Sequence, residues 1–95
     1  MAEARLSPRA EQDLRDIWHT IAIDNEYAAD TLLRHMLEKA DLAATQPHMG
    51  VGRTELSPTA RILIEGNYIL IYEPMAYGIL VVAIVHGGRD PESWL

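Results

Sequence analysis

The sequence predicts an α+β fold, a helical hairpin packed on one side of a small sheet, and three observations carry that prediction. Apolar residues recur at helical spacing across residues 10–44, and Pro47 with the glycines of "QPHMGVG" ends the pattern. Three segments rich in Ile, Val, Leu and Tyr then follow, separated by turn signals. A strand, two helices and three strands in that order suggest helices gathered on one face of a sheet.

Residues 1–6 read as a short strand closed by Leu6. Ser7 suits the N-cap of a first helix, and Pro8 at the first helical position gives up an N–H that had no partner. Ala10, Leu14, Ile17, Trp18 and Ile21 form its apolar face, with Glu11, Asp13, Arg15 and Asp16 opposite. The helix should end near Asp24 and Asn25, whose short polar side chains compete with the backbone ladder. A second helix starts there and runs to Gln46, stopped by Pro47. Leu33, Met36, Ala40 and Ala43 make one packing face; Leu32 and Leu37 fall at its edges, either as hairpin contacts or as part of a groove for a partner's helix.

"ARILIEG", "NYILIYEP" and "GILVVAIVH" read as an antiparallel meander, with turns at Gly66-Asn67 and between Pro74 and Gly78. Residues 79–85 are apolar without alternation, as expected of a central strand covered on both faces. The last residues, "HGGRDPESWL", read as a short, mobile recognition tail ending in an exposed tryptophan.

Ninety-five residues, 48% of them hydrophobic, suit one domain spanning residues 1–95. Without cysteine there is neither a disulfide framework nor a thiolate metal site, and the cytoplasm is the default compartment. The N-terminus has charges where a signal peptide needs apolar residues, and no run approaches the roughly 20 apolar residues of a membrane span. A formal charge of −6 weighs against unaided nucleic-acid binding. Neither half is basic: five basic residues face nine acidic ones before Pro47, and three face five from there on. The only lysine is Lys39, so any positive patch must come from Arg53, Arg61 and Arg89.

No metal or other cofactor is expected. His19, His35, His48 and His86 form no HxxxH pair, and neither "GVGR" nor "HGGRD" has the context of a phosphate loop. Ser7 is explained as a cap, and neither Ser57 nor Ser93 sits in a nucleophile turn. What remains is an arginine-based RNA-cleaving set, with Glu55 or His86 for proton transfer and Arg61 and Arg89 to stabilise charge. It requires Arg61, opening one strand, to neighbour His86 and Arg89 at the end of another. The plainer reading is that Arg61 and Arg89 pair with acids at the sheet edge.

"LSPRAEQDLRDIW", "AADTLLRHMLEKADLAATQPHMGVGRTEL", "ARILIEGNYILIYEP" and "VVAIVHGGRD" together resemble the ParE branch of the ParE/RelE toxins of type II toxin–antitoxin systems. The likeness spans nearly the whole chain. It implies a β-α-α-β-β-β fold with a mainly antiparallel sheet, a cognate ParD-like antitoxin in a hetero-oligomer, and a cellular target. For ParE-like toxins that target is DNA gyrase, bound without catalysis; RelE-like relatives cut mRNA on the ribosome. Arg61 matches a strand arginine of both branches, and His86 with Arg89 matches the ParE-like tail. The sheet half contains no lysine and the tail carries Trp94 in place of a tyrosine, both departures from the nucleases. The resemblance therefore favours Arg61, His86, Arg89 and Trp94 as target-binding residues, since Arg and Trp are common interface anchors, and Leu32, Leu33, Met36 and Leu37 as antitoxin-binding. An mRNA endonuclease and an inactive homologue acting as an antitoxin-binding corepressor are the alternatives.

Overall fold

The computed structural model describes residues 1–88 and 91–95. Its elements are β1 (Glu3–Leu6), α1 (Pro8–Ala22), α2 (Glu26–Thr45), β2 (Val51–Gly52), β3 (Arg61–Glu65), β4 (Tyr68–Met75), β5 (Gly78–His86) and a final 3₁₀ turn, Pro91–Ser93. The hairpin begins and turns as its caps dictate. Ser7 Oγ accepts from the Ala10 N–H at 3.0 Å, and Asn25 Oδ1 accepts from the Ala28 N–H at 3.0 Å.

The five strands lie in the order β1-β5-β4-β3-β2. β3, β4 and β5 form the expected meander, and β1 lies parallel to β5 along Gly78 to Val81, which places β5 in the interior of the sheet. β2 pairs two residues with β3 and was not foreseen, being too short to carry a pattern. Gly78 is needed where β1 meets β5: its φ is 141° and a Cβ there would lie 2.2 Å from the Glu3 carbonyl oxygen.

β5 lacks alternation because both its faces are covered, and a bulge sets which residue serves which face. Ile71 faces Ala83 while Tyr72 faces Val81, so Val82 is an extra, bulged residue. The bulge shifts the phase of the strand: Ile79, Val81 and Ile84 face the helices, whereas Val82, Ala83 and Val85 face the other way. On the helix side these residues pack with Ala10, Met36, Ala40, Ala43 and Ala44, small residues that let both helices approach the sheet.

Neither α1 nor α2 covers the far face. Ala60, Ile62, Ile69, Ile71, Ala83 and Val85 are covered instead by Leu56 from the β2–β3 loop and by Trp94. This overturns the expectation of an exposed tryptophan at the end of the tail. Trp94 is only 3% exposed, and the turn before it is closed by its N–H donating to the Pro91 carbonyl at 3.1 Å. The physical reason is area: an apolar sheet face with no second layer is costly in water, and an indole covers more of it than any other side chain.

Candidate protein-binding surfaces

Arg61 opens β3 and turns inward to the loop that follows α2. Its Nη1 donates to the carbonyls of His48 at 2.9 Å and Gly50 at 2.7 Å, an arrangement different from the expected carboxylate pair. Tyr72, fully buried on β4, donates its hydroxyl proton to the Pro47 carbonyl at 2.7 Å and accepts from the Gly50 N–H at 2.9 Å. The "PHMG" segment is thereby fixed from both sides. Only glycine fits at position 50, where a Cβ would lie 2.7 Å from both the Ile62 carbonyl oxygen and the Tyr72 ring.

His86 stands level with the other end of β3, where Glu65 pairs with Tyr68. β3 and β5 flank β4 and run the same way, so the start of one and the end of the other are not neighbours. Arg61 lies opposite Tyr72 and His86 opposite Tyr68, four residues apart along β4, roughly 13 Å at strand rise. The expected juxtaposition of Arg61 with His86 is therefore absent, and Arg89 lies outside the described residues. Glu55 is exposed and hydrogen-bonded to Arg53, whose guanidinium holds its carboxyl below the usual carboxylate range. A weakened base of that kind is poorly matched to proton abstraction near neutral pH.

The His86 ring meets Tyr68 edge-on, with centroids 5.4 Å apart, and its Nδ1 accepts from the Gly88 N–H at 3.1 Å. With Arg9, Asp13, Asp16, Tyr68 and Ser93 it lines an open groove of about 560 Å³ between α1 and the end of β5. Asp13 is the residue here that sequence reasoning missed. Its Oδ2 accepts from the Ile84 N–H at 3.0 Å and sits 3.5 Å from Arg9 Nε, closing part of the edge of β5 that β1 is too short to cover. In the sequence Asp13 is only the polar partner of an i,i+4 pair; its long-range bond leaves no local signal.

The four leucine and methionine positions on α2 divide. Met36 is 1% exposed and belongs to the helix-side core, which removes it from any partner surface. Leu32 packs against that core, and Leu33 lines the α1–α2 seam with Leu14, Ile17 and Trp18. Only Leu37, 40% exposed, faces solvent substantially. Trp94 likewise leaves the set of exposed anchors; Arg53 stacks over its ring at 5.4 Å.

The exposed apolar residues lie elsewhere. Val51 and Ile64 are exposed on the far face of the β2–β3 edge, and Ile23 and Tyr27 at the hairpin tip. The β3 edge is guarded by Lys39, whose Nζ donates to the Ile64 carbonyl at 2.5 Å and pairs with Glu65 at 3.2 Å. Among the described residues, no helix is long and apolar enough to cross a membrane.

The architecture is similar to that of a solved structure described as the chromosomal ParDE TA system from P. aeruginosa, with a TM-score of 0.72. Identity is 18%, over 90% of this chain and 96% of that one, which shows a shared fold. No curated protein matched the sequence. The family model described as "ParE toxin of type II toxin-antitoxin system, parDE" matches residues 4–91, which defines the chain as a toxin of a type II toxin–antitoxin system. Within that class it belongs to the ParE toxins.

Proposed function

We propose that this ParE-family toxin inhibits DNA gyrase by protein–protein contact and is neutralised by a ParD-like antitoxin. The observation that carries the reading is the family match across residues 4–91. The geometry supports contact over catalysis. The nuclease reading needs Arg61 and His86 around one phosphate, yet these residues stand four residues apart along β4, on the two strands that flank it, and Arg61 is engaged by two backbone carbonyls.

His86 and its groove remain target-facing candidates, while Arg61 acts mainly on the loop that it pins. The antitoxin is assigned to Leu37 on α2 and, separately, to the β2–β3 edge, where Val51 and Ile64 are uncovered. Purified protein incubated with gyrase, ATP and relaxed plasmid should block supercoiling or trap cleaved DNA, and the antitoxin should relieve the effect. Undisturbed supercoiling at excess toxin contradicts the proposal.

A further inference from the structure

The tip of the helical hairpin carries side chains that the fold does not use. Ile23 is 85% exposed and Tyr27 is 78% exposed, although both lie beside well-formed helix ends. The Ile23 N–H is bonded to the His19 carbonyl whatever its side chain, and α2 is capped by Asn25. A polar residue at either position would satisfy the backbone equally and avoid an apolar surface in water.

The charge around them is one-sided. Residues 16–33 hold four of the chain's 14 acidic residues and none of its eight Lys and Arg. Asp16 accepts from Gln12 and Asp30 from Trp18 Nε1, whereas Asp24 and Glu26 make no ion pair among the described residues. Asp24 follows α1 but also precedes the Asn25 cap, and Glu26 opens α2, where the helix dipole favours an anion, so both carboxylates can stand at the tip without an ion-pair partner. The tip is also stiffened: Trp18 bridges the two helices through its 2.8 Å bond to Asp30 and meets the His19 ring edge-on. A rigid aromatic and aliphatic knob inside an acidic collar loses little freedom on docking.

We infer that Ile23 and Tyr27 form the target-docking knob of this toxin, seated in an apolar socket ringed by Lys or Arg. The inference rests on the gyrase reading above. An enzyme that grips DNA needs lysine- and arginine-lined surfaces, and an acidic collar complements such a rim. It moves the main recognition surface from the C-terminal tail to the hairpin tip, beyond Asp16 and Thr20, which share the groove with His86.

The test is equilibrium binding of purified gyrase to the full-length toxin and two double variants, Ile23→Ser with Tyr27→Ser, and Asp24→Asn with Glu26→Gln. The melting temperature of the first variant should match the parent, because neither side chain is buried, and that of the second should fall only slightly, since its carboxylates sit at the N-terminal end of α2. The first variant should bind at least about tenfold more weakly. The second should lose about threefold or more at low salt, the loss shrinking as salt rises. Parental binding by both variants overturns the inference and leaves the gyrase reading standing; no binding by the parent overturns both.

Discussion

The C-terminal tail and the hairpin tip invert the exposure their sequences suggest. Trp94, in a polar and glycine-rich end, is buried against the far face of the sheet, while Ile23 and Tyr27, beside an ordinary helix turn, stand in water. The difference lies in what each region leaves uncovered. Both helices sit on one side of the sheet, so its other side must be closed by whatever chain remains, and the tail is what remains. Ile23 and Tyr27 at the tip belong to neither core cluster.

The largest expected effect follows from the tail. Trp94→Ala should destabilise the protein by about 3–5 kcal/mol in urea unfolding, the cost of a large core truncation. A loss below about 1 kcal/mol would mean that the far face is closed some other way. Tyr27→Ala is the matched contrast and should stay within about 0.5 kcal/mol of the parent.

The next effect concerns the loop after α2. Tyr72→Phe removes the partner of the Gly50 N–H and the donor to the Pro47 carbonyl, and should cost about 1–3 kcal/mol. Amide exchange would show faster opening at Gly50 and Val51, while unchanged protection there would show that Arg61 alone holds the segment. Asp13→Ala should cost roughly 1 kcal/mol and expose the Ile84 N–H to exchange. If Ile84 stays protected, the groove edge does not depend on Asp13.

The smallest effect is a pH signature. Arg53 lowers the Glu55 pKa in the folded state, so the pair's contribution is complete above the ordinary carboxylate range and disappears as pH falls through the folded value. Urea midpoints of the parent and Glu55→Gln should differ slightly near neutral pH and converge in acid. Curves that stay parallel down to pH 2 would show that the pair is broken in solution.

Most of the fold was legible because it rests on local chemistry. Ser7 with Pro8, Asn25, Pro47 and the Gly66-Asn67 turn each mark a boundary, and periodicity separates hairpin from meander. What was not legible is non-local. Whether Arg61 and His86 meet depends on strand direction, and whether Met36 is core or surface depends on how the hairpin rolls onto the sheet. Trp94 could be placed only once both α1 and α2 were known to pack on the other face. Ile23 and Tyr27 were overlooked because an apolar residue near a helix end is ordinary in sequence and informative only when found uncovered.

The burial of Trp94 can be measured directly by the emission and acrylamide quenching of a Trp18→Phe variant, in which Trp94 is the only indole. The structure predicts blue-shifted emission and slow quenching that become those of free tryptophan only on unfolding. Emission and quenching typical of exposed tryptophan in the native state would contradict it and return the tail to the recognition surface.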